Sequence, residues 1–203
     1  MNLQEFVIDR LLWVIPLIMS ITVHEWAHAA SACWLGDDTA RLLGRNTLNP
    51  IAHVDPVGTL MLPLLGIPFG WAKPVPINPI RFRRGIGMKM GVFIVALAGP
   101  ISNIVLASLC WLLQSTPLVE RGSPLDQAIT TLIILNVALA VFNMLTIPPL
   151  DGSRIVDSLM PTRFRPLWHQ FSNYGFVILI ALFVLPLVLR GANLVQWIFD
   201  LVS

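Results

Sequence analysis

The run ITVHEWAHAA, residues 21–30, sets two histidines and a glutamate in otherwise apolar sequence. Four residues apart on a helix, His24 and His28 share one face, and Glu25 projects about 100° round beside them. Two neutral imidazole nitrogens suit zinc, and a glutamate directly after the first histidine can deprotonate a zinc-activated water without ligating the metal. HExxH fixes only three positions in five, so alone it is a weak signal. Its setting strengthens it: ionisable groups are expensive inside a membrane span and, where they occur, face a cavity, a partner or an ion.

A catalytic zinc takes three protein ligands and keeps a fourth position for water. His53, Asp55, Asp151, Asp157 and His169 are the candidates for the third ligand. Asp151 is the strongest. In FNMLTIPPLDGSR, Pro148 and Pro149 break a helix within apolar sequence and Gly152 permits an unusual turn; such irregular backbone is tolerated at membrane depth only where protein or a water-filled cavity satisfies it. The competing role for Asp151 is a cap on a helix beginning GSRIVDSLM. Asp157, one and a half turns further on, reads as a solvated residue.

The elements that must position these groups follow from composition. Hydrophobic residues make up 56% of the 203, charged residues only 12%, and the mean hydropathy is +0.76; soluble domains carry charge on about a quarter of their residues. The expectation is an all-α integral membrane protein, a polytopic helical bundle of four to six membrane segments forming a single domain over residues 1–203. A span needs about 20 apolar residues. Stretches 11–34, 86–114, 125–145 and 174–189 qualify, and the acidic residues beside Arg10 read as the flank of a retained helix rather than of a signal peptide. The proline-bearing stretch 57–69 is short, so a re-entrant segment is favoured there, and ANLVQWIFDLVS at the end fits an amphipathic interfacial helix. Cys33 and Cys110 form no spaced framework and read as free thiols.

Charge gives the orientation. Of the 13 Lys and Arg, 10 lie either between Gly36 and Met90 or between Asp151 and Arg165, with Arg10, Arg121 and Arg190 on the other side; the positive-inside rule puts both segments in the cytoplasm and the N-terminus outside. This pattern speaks to topology and not to nucleic acid. His24 lies 13 residues beyond Leu11, about 20 Å down a helix rising ~1.5 Å per residue, so a water-filled cavity opening from the cytoplasmic side is expected.

HEWAH near the end of one membrane helix, LAGPISN in a middle one and NMLTIPPLDG in a later one together resemble the site-2 protease family of intramembrane zinc metalloproteases. The match covers most of the chain, and three ordered motifs are far more specific than one. The resemblance implies Zn2+ held by His24, His28 and Asp151, Glu25 as general base, and cleavage of peptide bonds in or near a transmembrane helix of a protein substrate within the lipid bilayer. GRNTLNPIAHVDPVGT and GWAKPVPINP further resemble a compact prokaryotic branch, resident in the cytoplasmic membrane, without PDZ or cystathionine-synthase-type regulatory domains. No membrane helix is expected within residues 1–10 ahead of the HExxH helix, whereas one precedes it in some relatives, and Thr146 stands where relatives often have proline, which predicts a softer kink.

Three further residues are candidates for binding substrate or an oxyanion. Asn143 and Asn103 each offer a donor and an acceptor, with an interhelical hydrogen bond as the alternative use. His53 could orient a ligand, protonate an intermediate or ligate resting zinc, or be a surface histidine beside Asp55. The extended loop GWAKPVPINP could pair with a substrate as an added strand, and Lys73 within it reads as an ordinary cytoplasmic-loop cation. Two other function classes are open to the sequence: a metal or proton transporter, and an inactive relative that binds membrane helices without cutting them.

Overall fold

The computed structural model describes residues 3–64 and 70–189. Among them every regular element is helical. Helix α1 (Leu3–Trp34) begins eight residues before the expected span and carries Pro16 within it. It ends where Gly36 adopts φ +109. The amide of Asp37 then bonds back to Ala32 O at 2.9 Å and that of Gly36 to Cys33 O at 3.0 Å, closing the helix with the glycine in the left-handed conformation. A side chain at Gly36 would also press on the backbone of Arg81 and Arg83, whose loop is stitched to the helix end by Arg83 N–H to Leu35 O, 2.8 Å.

Short helices α2 (Thr39–Leu42) and α3 (Leu62–Leu64), the latter continuing a π-helical turn over Pro56–Met61, lie in the connection that follows. Residues 70–78 are extended. Helix α4 (Met88–Gln114) is central, packed against α1, against α5 (Pro124–Asn143) and against α6 (Asp151–Leu159). Its buried face runs Gly91, Val95, Ala96, Gly99, Pro100, Asn103, Ala107, Cys110, a helical stripe of mostly small residues that lets neighbouring backbones come close. The rings of Phe82, His24 and His28 fill the space where Cβ atoms at Gly91 and Gly99 would lie.

Helices α4 and α5, 27 and 20 residues long, are apolar enough to cross a membrane. Only 33% and 22% of their apolar windows are buried inside the molecule, unlike the covered core helix of a soluble protein. Ile101, Ile104, Val105 and Leu109 face outward from α4. Ser123 caps α5 by accepting the Asp126 amide at 3.1 Å, with Pro124 at the first helical position. The helix ends at Asn143, and residues 144–150 form turns before α6. The interruption is therefore complete despite Thr146. Gly152 is required by close approach: a Cβ there would lie 2.3 Å from Met144 O and 2.5 Å from Leu145 O. Helices α7 (Arg165–Asn173) and α8 (Gly175–Leu189) follow. The two cysteines are free. The expected terminal interfacial helix lies outside the described residues, as does part of the stretch 57–69.

Candidate metal centre and active site

Three buried side chains converge where α1, α4 and α6 meet. His24 Nε2 and His28 Nε2 lie 3.1 Å apart, and Asp151 Oδ2 lies 3.1 Å from the first and 3.2 Å from the second. The three residues are 6%, 4% and 7% exposed. Asp151 is the first residue of α6 and Leu150 occupies the cap position, and the Asp151 carboxylate faces the two imidazoles instead.

The outer ring nitrogens decide what the inner ones can do. His28 Nδ1 lies 2.7 Å from Val95 O, a carbonyl that can only accept, so Nδ1 carries the proton and Nε2 the lone pair. His24 Nδ1 lies 2.6 Å from Asn103 Oδ1, which imposes the same tautomer. Two nitrogen lone pairs and a carboxylate oxygen thus face each other at the spacing of hydrogen bonds, with neither imidazole donating into the group. A cation satisfies such a triangle. Tetrahedral zinc with ligands at about 2.0 Å separates adjacent ligand atoms by about 3.3 Å, close to the three edges observed. Gly99 makes room for it: a Cβ there would lie 2.4 Å from His28 Nε2 and 2.6 Å from His24 Cε1.

Glu25 is half-buried on the same turn, and its Oε2 accepts the Val75 amide at 3.1 Å. Val75 belongs to the extended segment, which two buried charges fasten. Arg45 donates to the carbonyls of Ala52, Lys73 and Pro74, and Asp37 Oδ2 accepts the Asn78 amide at 2.6 Å. Lys73 N–H goes to His53 O. With prolines at 74 and 76 and the amides of 73, 75 and 78 already engaged, this part of the segment lacks the run of free N–H groups that pairing with a substrate strand requires. A cavity of about 430 Å³ joins these groups, lined by His24, Glu25, His28, Asp151, Asn143 and Arg154 together with apolar walls that include Trp71 and Phe142.

The other expected residues fall into place differently. Asn143 lines the cavity and donates to Leu139 O at 3.0 Å. Asn103 is fully buried, with its oxygen on His24 and its nitrogen on Asn136 and Ser20; of its two readings the interhelical one applies, and it has no amide group left for an oxyanion. His53 is 0% exposed, so it is no surface residue, and it is absent from the cavity lining. Its Nε2 donates to Thr47 O at 2.8 Å, which fixes the loop fold, and among the described residues the candidate metal-holding group is His24, His28 and Asp151. Asp55 caps the π-helical turn and His169 is exposed. Sequence reasoning passed over Asn136, a lone amide in the apolar run LIILNVALAVF, although such a residue is a signal in itself. Arg45, Asp37 and Val75 carried no comparable mark.

Comparison with known proteins gives the chemistry its family. The chain is 42% identical over 181 residues, covering 86% of it and 80% of the relative, to YwhC of Bacillus subtilis, a protein named as a zinc metalloprotease. This chain belongs to peptidase family M50. It is a member of the site-2 protease family and a zinc metalloprotease, with Zn2+ as its metal, and the transporter and inactive-relative classes are set aside. The family's sequence model matches residues 117–186. The chain is also 31% identical over 184 residues to Rip2 of Mycolicibacterium smegmatis, and 30% identical over 188 to Rip2 of Mycobacterium tuberculosis. Those alignments cover 90% and 91% of this chain and 71% of each relative, and both relatives are likewise named as zinc metalloproteases. No solved structure matches the chain.

Proposed function

We propose that the chain is a single-domain protease that cuts membrane protein substrates within or near a transmembrane helix, with His24, His28 and Asp151 holding zinc and Glu25 as general base. The observation that carries this is the triangle of buried lone pairs beside Glu25, at the head of a largely apolar cavity. Zinc, when bound, supplies Lewis-acid activation of water and of the scissile carbonyl. Glu25, steadied by Val75 N–H, takes a proton from the attacking water as its oxygen bonds to the carbonyl carbon. It then delivers that proton to the amine nitrogen as the C–N bond breaks. Asn143 offers an amide to the substrate from the cavity wall. A helical substrate hides its carbonyls in its own hydrogen bonds, so local unwinding precedes attack, and helix-breaking residues near the cleavage point favour turnover.

We read α1, α4, α5 and α8 as four crossings of the cytoplasmic membrane, a reading the basic loops support, with the cavity reached from the cytoplasmic side. The stretch 57–69 is read as re-entrant, because a fifth full span would break the alternation that the basic loops require.

The test uses full-length protein in detergent with a reconstituted single-helix membrane substrate. Glu25→Gln is expected to keep about one zinc per chain while cleavage falls about 10³-fold. Loss of zinc in that variant would show that the glutamate has been given the wrong role. Cleavage of a soluble unfolded peptide, with membrane helices left intact, would refute the substrate class.

A further inference from the structure

Behind His24 lie three polar side chains that are completely buried at 0% exposure: Ser20 on α1, Asn103 on α4 and Asn136 on α5. Their hydrogen bonds close on one another. Asn136 Nδ2 donates to Leu132 O and to Ser20 Oγ, both at 2.8 Å. Asn136 Oδ1 accepts Asn103 Nδ2 at 2.7 Å, and the same nitrogen lies 3.3 Å from Ser20 O. Asn103 Oδ1 then meets His24 Nδ1 at 2.6 Å. The directions are fixed by partners that can only accept. The carbonyls of Leu132 and Ser20 draw each amide nitrogen toward them, so each amide oxygen must point the other way, and the chain of bonds ends on His24.

We propose that Asn136 is a positioning residue for the metal, acting through Asn103 to hold His24 in the tautomer whose Nε2 lone pair faces Asp151 and His28. Asn103 could otherwise turn its NH2 toward Nδ1, which would move the ring proton to Nε2 and block the ligand. Asn136 prevents this by giving that NH2 a better acceptor. Residues behind a ligand histidine commonly set both its tautomer and its basicity. Here the control runs through two amides on two different helices, so α5 contributes to the centre without touching it. The inference rests on His24 being a ligand and assigns Asn103 and Asn136 beyond that.

Zinc affinity, measured by chelator competition on full-length protein in detergent, tests it as a double-mutant cycle. Asn103→Ala is expected to weaken binding about tenfold and Asn136→Ala about threefold. The double variant should be no weaker than Asn103→Ala, because Asn136 acts only through Asn103. A double variant weakened about thirtyfold, the product of independent effects, would overturn the relay. So would unchanged affinity in Asn136→Ala with a lowered melting temperature, since that is the result of a purely structural interhelical bond. Should Asn136→Ala fail to fold, an isosteric pair replaces it. Asn136→Asp, neutral in this apolar site, keeps the acceptor for Asn103 and is expected within about twofold of wild type, against about threefold weakening in Asn136→Leu. Equal affinity in those two would overturn the proposal. His24→Ala identifies the other failure: if it leaves zinc affinity unchanged, the ligand assignment itself is wrong.

Discussion

The two halves of the proposed catalytic apparatus are held in place by different means. The residues proposed to hold the metal sit on α1 and α6, and the outer ring nitrogens of the two histidines are met by fixed groups of α4, the Val95 carbonyl and the Asn103 amide. Glu25 shares α1 with the histidines, yet its carboxylate is met by a backbone amide of an extended loop, itself fastened by Arg45 and Asp37. Helix-borne groups keep their spacing through the backbone ladder and close packing. A loop has no such ladder, so it needs buried charges to give its backbone groups partners. Metal binding should therefore respond to substitutions among the helices, and catalysis at constant metal content to substitutions around the loop.

The largest effect is expected from Asp151→Ala, which leaves two of the three proposed ligands: zinc content measured by atomic absorption should fall from about one per chain to a small fraction of that, and proteolysis with it. Full retention of zinc would show that the metal half is built from other residues. Gly99→Ala places a methyl group against both imidazole rings, so zinc affinity should weaken about 10- to 100-fold while the folded protein loses about 1–3 kcal/mol by thermal melting. Arg45→Met separates the halves. It leaves three loop carbonyls without their donor, and kcat is expected to drop about tenfold with zinc affinity unchanged. A parallel loss of zinc would mean that loop and helices form one unit. The smallest effect belongs to Lys73→Ala: the side chain is exposed, so stability should move by no more than about 0.5 kcal/mol and zinc binding should not move at all. Its backbone amide, which holds His53 O, is untouched by that change.

Long apolar runs are legible because a helix is set by local hydrogen bonds and by the polarity of consecutive residues. The apolar runs 86–114, 125–145 and 174–189 fall on helices α4, α5 and α8 with ends displaced by at most two residues, and of these α4 and α5 are long and apolar enough to cross a membrane. The start of α1 was less legible: Glu5, Asp9 and Arg10 read as a polar flank, whereas the helix runs through them to Leu3. Polar loops gave little. The extended segment was recognisable from its prolines, but prolines say which amides are missing and not where the remaining ones point.

The sequence by itself determined that His24 and His28 share a face with Glu25 beside them, since a separation of four residues brings side chains together on any α-helix. It also determined that the chain breaks before Asp151, because Pro148 and Pro149 cannot continue one. Only the tertiary structure decided that Asp151 meets histidines 123 and 127 positions away, that Gly99 lies against their rings, that Val75 reaches Glu25 and that Asn136 stands behind Asn103. Those meetings depend on how whole helices cross, and crossing is set by the sum of packed side chains along each interface. No local spacing encodes it.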